Sequence, residues 1–311
     1  MLGLALGVVV IVISHPDRIW SSLQRVDPTL LLAALALNVP VVLLRAYRAH
    51  VIIGRLGYQV PMRTMTPIQL VGQTSSSITP AASGDYVRAY LWRMTNEVPL
   101  RVGAAVVTFE RLYSLFLLAA VSVLLIGLPR HGVIGWAGVA VGLAAATYAP
   151  LIFELMPRSL ERWTLDKLAR GRFLGRFKDG AIGMLEQFRI LMKAPLMLAW
   201  TSVITMAIFA VSGAQVWLVF EGLDHRVPIT QAVAAHTTSQ VAGILSTLPF
   251  GIGSADAILV AVFAGYGVTV TLAATVAVLL RAVTTLPQAL AGLAAYLLVD
   301  QPTSRTTMEA E

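Results

Sequence analysis

One stretch occurs twice in this chain, and each time it interrupts sequence that is otherwise apolar. The first copy reads Gln73-Thr74-Ser75-Ser76-Ser77-Ile78-Thr79-Pro80-Ala81-Ala82-Ser83-Gly84-Asp85, with Arg111 downstream. The second reads His236-Thr237-Thr238-Ser239-Gln240, then Thr247-Leu248-Pro249-Phe250-Gly251-Ile252-Gly253-Ser254-Ala255-Asp256, with Arg281 downstream. Proline precedes glycine by four residues in both copies (80 to 84, 249 to 253), and glycine precedes the arginine by 27 residues in one (84 to 111) and 28 in the other (253 to 281). Each unit thus carries a hydroxyl-rich run, a helix break, an acid and a later arginine. A repeat of this kind fixes the architecture before any local propensity does.

The solvent of these units follows from what surrounds them. With 57% hydrophobic and only 13% charged residues, the 311-residue chain has too little polar surface for a soluble globule, since soluble domains run at about 25% charged. Mean hydropathy is +0.76. The fold class is therefore all-α, a polytopic membrane protein. Zero cysteines exclude disulfides, thiolate metal sites and cysteine nucleophiles.

Residues Met1 to Ile13 form an apolar run of 13, where a span needs about 20. The run reads as the end of a first spanning helix whose beginning is missing or short. Ser14 to Pro28 is a connection, and Thr29 to about Ile53 is a span. Met62 to Thr79 and a helix capped by Ser83 and running to about Thr95 form the first hairpin. A helix of about 12 residues is about 18 Å long, short of a hydrocarbon core of about 30 Å, so the hairpin is expected to be re-entrant. Spans are expected at Pro99–Leu128 and Gly132–Leu155. Residues 157–193 hold nine basic residues against four acids, with Leu174, Phe177, Ala181, Leu185, Phe188 and Met192 at helical spacing. That pattern suits either a solvated cytoplasmic linker or an amphipathic helix on the membrane surface. A span at Leu196–Phe220 follows, then the second hairpin (Pro228–Leu248, Ser254–Tyr266). A last stretch, Val268–Val299, is kinked at Pro287, and the tail Asp300–Glu311 is polar and read as disordered.

Lysines and arginines mark the cytoplasmic face. With residues 157–193 inside, Arg45, Arg48, Arg55, Arg63, Arg88, Arg93, Arg101 and Arg305 also fall inside, leaving only Arg18, Arg25, Arg130 and Arg226 outside. The formal charge of +7 is thus an orientation signal, and nucleic-acid binding is excluded. The parity of the spans makes the hairpins (about 62–95 and 228–266) enter from opposite faces, an inverted-topology repeat. Three regions result: 1–156, a basic connector 157–195, and 196–311.

Thr79-Pro80, Gly84-Asp85, Arg88, Leu91, Arg93 and Phe109-Glu110-Arg111-Leu112 resemble the first half of the lysylphosphatidylglycerol synthase transmembrane family. Leu248 to Gly253, Gly265 to Gly267, Leu280-Arg281 and Leu286-Pro287 are similar to its second half, so the resemblance covers about residues 29–299. Asp85 stands where the family usually shows Glu, and Asp256 lies where a Glu is common. The family is also described as flippase-like and includes the membrane domain of the bacterial multiple peptide resistance factor. The resemblance implies translocation of a lipid without its synthesis, in a bacterial cytoplasmic membrane, and the charge distribution puts the C-terminus inside.

An arginine at mid-depth costs about 2.5–3.5 kcal/mol, so it needs a partner or a purpose. Arg111 is expected to reach Asp85, and Arg281 to reach Asp256. Such pairs either pin the hairpins to the bundle or belong to a phosphate site at helix N-termini, and both roles stay open. Glu110 is adjacent to Arg111 and cannot face it. The candidate substrate-binding set is Arg111, Arg281, Asp85, Glu110, Asp256, Ser83, Gly84, Gly253, Ser254, Thr79 and His236. His236 reads as a satisfied bundle histidine, since no ligand-spaced acid or second histidine accompanies it. The hydroxyl runs suit head-group contacts or small-residue packing equally. The tryptophans are placed near span ends.

A lipid flippase or lipid-carrier transporter leads, with phospholipid or polyprenyl-phosphate lipids as partners. A proton-coupled carrier of a small anion, with Asp85, Glu110 and Asp256 as carriers, is the alternative. A membrane enzyme on a lipid phosphate comes third, with no catalytic constellation, metal or cofactor in view. A homo-oligomer stays open.

Overall fold

The computed structural model describes residues 26–127, 178–245 and 253–298. The apolar N-terminal run, the span expected at Gly132–Leu155, most of the basic connector, the Pro249 tip and the tail lie outside them. The described residues form helices α1 (Pro28–Ala36), α2 (Asn38–Arg55), α3 (Met62–Ile78), α4 (Val87–Asn96), α5 (Leu100–Gly127), α6 (Lys178–Met192), α7 (Pro195–Gly222), α8 (Ile229–Leu245), α9 (Ser254–Gly265), α10 (Val270–Leu280) and α11 (Leu286–Leu298). Among the described residues, four stretches are long and apolar enough to cross a membrane: Pro28–Arg55, Leu100–Leu125, Pro195–Gly222 and Val270–Leu297. The protein is an all-helical polytopic membrane protein.

The helix boundaries follow from local chemistry. Asp27 caps α1, accepting from Thr29 N at 2.8 Å and Thr29 Oγ1 at 2.7 Å, with Pro28 in the first turn. The Asp27 amide donates to the Gly222 carbonyl at 2.9 Å, which ties the start of α1 to the end of α7. The expected span Thr29–Ile53 is present but interrupted at Leu37. Pro40 lacks the N–H that would reach the Ala36 carbonyl, so the break falls one turn before it.

The last apolar stretch is also interrupted, and not at Pro287 itself as its sequence suggests. A π turn occupies Arg281–Thr285, just upstream. Pro287 has no N–H for the Val283 carbonyl. That carbonyl instead accepts from Asn38 Nδ2 at 2.6 Å. The wide turn thus relieves the proline and turns a freed acceptor toward the break in the first span.

The first hairpin also differs in detail. Ser83 does not cap a helix. After the extended Thr79, the chain resumes at Pro80 as a 3-10 segment through Tyr86 and continues into α4. Proline's fixed φ favours the first helical position, so it starts the second arm earlier than a serine cap would. α4 ends at Glu97, in the left-handed region at φ 56°, with Pro99 two residues on.

Packing pairs the elements across the chain. α2 packs on α3 and α7 on α8; α3 packs on the 3-10 segment and α8 on α9; α4 packs on α5 and α9 on α10. The halves also cross over: α3 lies against α11, and α8 against α5. At the first crossing Gly292 permits backbone approach, since a Cβ there would lie 2.6 Å from the Leu70 carbonyl oxygen. One apolar cluster surrounds Trp92, Phe109 and Met65, and a second surrounds Phe220 and Phe263. A third, with Val41, Leu117 and Phe209, joins α2, α5 and α7.

α6 packs on α5, with Phe188 of the stripe edge-on against Phe109 at 5.6 Å, while Leu174 and Phe177 lie outside the described residues. Trp92 is fully buried rather than interfacial, because Arg88 lies over its ring at 5.5 Å. Trp200 is half-exposed, as a span-end tryptophan should be.

Candidate functional site

A cavity of about 430 Å³ lies between the two halves, lined from α2, α3, the 3-10 segment, α4, α5, α7, α8, α9, α10, the π turn and α11. Five arginines and three carboxylates face it: Arg45, Arg48, Arg88, Arg111 and Arg281 with Asp85, Glu110 and Asp256. Around this cavity the described guanidinium groups therefore outnumber the carboxylates by two.

The innermost part is a closed network. Glu110 accepts from Arg88 NH1 at 2.7 Å and from Arg48 Nε at 3.1 Å. Arg88 also donates to Gln69 Oε1 at 2.7 Å and to Asp85 Oδ2 at 2.9 Å, with its Nε 2.7 Å from Asp85 Oδ1. The Arg88 and Glu110 side chains are only 2% and 3% exposed. One guanidinium thus holds α3, the hairpin turn and α5 together. Gly72 makes room for it, because a Cβ there would lie 2.2 Å from Arg88 Cγ. Arg48 NH1 extends the network to Ser114 Oγ (2.8 Å) on α5 and Thr205 Oγ1 (3.0 Å) on α7.

The two arginines of the repeated motif are more open. Arg111 Nε donates to Asp85 Oδ2 at 3.0 Å, and its NH2 to Ser76 Oγ at 3.0 Å. Arg281 grips Asp256 with two bonds of 3.1 Å, Nε to Oδ1 and NH2 to Oδ2. Their side chains are 28% and 30% exposed. Both pairings expected from the repeat are thus present. The described contacts divide the two roles: Arg88 pins the hairpin, whereas Arg111 and Arg281 keep a face toward the cavity.

Of the other expected residues, His236 lines the cavity, while Thr79, Ser83, Gly84, Gly253 and Ser254 do not. Thr79 Oγ1 accepts from the Gly84 amide at 2.6 Å, closing the hairpin turn. Ser83 is exposed. Gly253 takes φ +88°, a conformation side chains rarely adopt, and its amide donates to Asp256 Oδ2 at 3.2 Å. That bond orients the acid toward Arg281. Among the described residues the His236 ring has no hydrogen-bond partner.

The hydroxyl runs divide. Ser76 serves Arg111. Ser77, Thr237 and Thr238 bond carbonyls of their own helices at 2.9, 2.9 and 2.7 Å, the habit of packed membrane helices.

Arg45, Arg48 and Arg88 were assigned from sequence to the cytoplasmic rim, and the structure turns all three inward. The positive-inside bias keeps its sign without them. A signal was present: Asn38, Val41, Arg45 and Arg48 follow each other at three- and four-residue steps, one face of a helix. Asn38 continues into an amide chain. Its Oδ1 accepts from Gln288 Nε2 at 2.6 Å, and Gln288 Oε1 accepts from Gln73 Nε2.

The sequence is similar to known proteins over most of its length. Over 306 residues it is 23% identical to a UPF0104 membrane protein of Methanocaldococcus jannaschii, covering 92% of this chain and 89% of that one. A UPF0104 membrane protein of Methanothermobacter thermautotrophicus is 23% identical over 300 residues, 89% of this chain and 88% of its own. The glycosyltransferase AglD of Haloferax volcanii is 33% identical over 118 residues, 38% of this chain but only 19% of that protein. These three relatives are archaeal, whereas the resemblance in sequence implied a bacterial membrane. Residues 1–292 match the model of the lysylphosphatidylglycerol synthase TM region, and the chain belongs to that family.

Proposed function

We propose that this protein carries a lipid with an anionic phosphate head group between leaflets, by exposing its central cavity alternately to the two sides. The observation that supports this most is the excess of arginine over carboxylate around a cavity built by both halves. In an apolar solvent such an excess favours an anion, and guanidinium forks match phosphate oxygens in geometry. Acyl chains would remain in the bilayer.

α3–α4 and α8–α9 are read as re-entrant hairpins. α9 has 12 residues, about 18 Å long against a core of about 30 Å, and α4 has 10, continuing the seven-residue 3-10 segment that starts at Pro80. The matched contacts of the two halves support an inverted repeat, the design of many secondary transporters. In this orientation residues 157–193 face the cytoplasm. The family, described as the membrane region of a lysylphosphatidylglycerol synthase, agrees with a role in handling lipid.

The test is reconstitution in vesicles with fluorescent phospholipids, one leaflet being bleached chemically. Wild type should equilibrate the probe. Arg111→Gln or Arg281→Gln should slow it roughly tenfold or more, the worth of a charge-assisted bond at about 1.5–3 kcal/mol. Undiminished transport by both variants would sink the proposal. Movement of protons with a small anion, and none of lipid, would replace it with a proton-coupled carrier.

A further inference from the structure

Arg45 stands apart from the other four arginines. Arg48, Arg88, Arg111 and Arg281 each have a carboxylate oxygen within 3.1 Å. Arg45 makes no ion pair and no hydrogen bond among the described residues, although it sits within the first span and lines the cavity. His236 lines the same cavity from α8, in the other half.

We propose that Arg45 and His236 form the subsite that first receives the anion, and that the anion is the phosphate ester of a lipid head group. This rests on the transport reading and names the residue that takes the charge. Arg111 and Arg281 each already hold a carboxylate, which offsets part of the charge they can offer a phosphate. Arg45 holds none among the described residues. Its fork presents parallel N–H groups to two phosphate oxygens, and a ring N–H of His236 serves a third. An uncompensated guanidinium within a span is costly, and a bound phosphate removes that cost by neutralising it.

The test uses the full chain in detergent with three probes: dihexanoyl phosphatidic acid, dihexanoyl phosphatidylcholine and inorganic phosphate. Wild type should bind phosphatidic acid best. Arg45→Gln should weaken that binding about tenfold to a hundredfold, Arg45→Lys should keep part of it, and His236→Gln should cost about threefold. If wild type binds neither lipid, the transport reading itself fails. If it binds phosphatidic acid and Arg45→Gln stays within about twofold, only the Arg45 subsite fails. Inorganic phosphate binding as tightly as the lipid would overturn the assignment to a lipid. Because Arg45→Gln can also impair folding, phenylglyoxal labelling of wild type gives a second measure, read by peptide mass. Phosphatidic acid should protect Arg45, and unchanged labelling of Arg45 under saturating lipid would overturn the subsite.

Discussion

Replacing Arg88 with Met should destabilise the protein far more than replacing Arg111 with Gln, although both arginines bind Asp85. Arg88 is 2% exposed and bonds to Gln69, Asp85 and Glu110 from one guanidinium. Removing one member of a buried ion pair costs about 3–5 kcal/mol. Arg48 and Arg111 would still serve Glu110 and Asp85, which puts the expected loss near the lower end, about 3 kcal/mol. Arg111 is 28% exposed and gives up one ion pair and one bond to Ser76. Screening in a wet cavity holds that cost to about 1 kcal/mol. Thermal unfolding in nanodiscs, followed by tryptophan fluorescence, separates the two: at roughly 2–4 °C per kcal/mol, Arg88→Met should melt about 6–12 °C below wild type and Arg111→Gln about 2–4 °C below. Equal shifts for Arg88→Met and Arg111→Gln, or a shift of under about 2 °C for Arg88→Met, would refute the division into a pin and a cavity-facing arginine.

Two further predictions concern the helix ends. Asn38→Leu leaves the buried Val283 carbonyl without its 2.6 Å donor and should cost about 1–3 kcal/mol; in a Pro287→Ala background a backbone N–H becomes available to that carbonyl, and the penalty in the melting cycle should shrink. At the start of α1, the hydrogen bonds from the Thr29 hydroxyl and amide hold the Asp27 carboxyl below its ordinary value of 3.8, so its folded pKa is depressed. The cap therefore contributes above that value and is lost as pH falls through the folded pKa. Melting curves from pH 5 downward should show an acid decline that Asp27→Asn lessens, and identical declines in the two proteins would argue against the cap.

The repeat was legible because two copies constrain each other. Arg111 with Asp85 and Arg281 with Asp256 follow from the nearly equal spacing of the two copies, and the structure joins both. Arg45, Arg48 and Arg88 were not, since a cation at the edge of an apolar run has the same sequence signature whether it meets lipid phosphates or a cavity. Only helical phase distinguishes the two, and in α2 it does so through Asn38 and Val41, both buried. Ser83 was misread for a different reason. Serine before glycine and an acid resembles a cap, but proline already fixes the backbone three residues earlier. The π turn at Arg281–Thr285 was not legible, because Pro287 announces a defect without saying which side of it will absorb the strain.

The defects and the charges belong to one physical problem. Between helices in lipid, apolar contacts provide packing but little hydrophobic drive, so polar contacts carry more of the specificity. Each such contact must be closed inside the protein. Here the freed Val283 carbonyl is met by Asn38, Asn38 by Gln288, and Gln288 by Gln73 on the first hairpin. The chain of amides runs from the break in the first span, past the π turn that begins at Arg281, to the helix whose Ser76 holds Arg111. The crossed packing of α3 on α11 and α8 on α5 sets each hairpin against the helix beside the other half's arginine. A shift of either hairpin therefore disturbs the surroundings of both motif arginines. That coupling is what two separately folded halves would lack, and it follows from where three prolines deny the backbone its ordinary bonds: Pro40, Pro80 and Pro287.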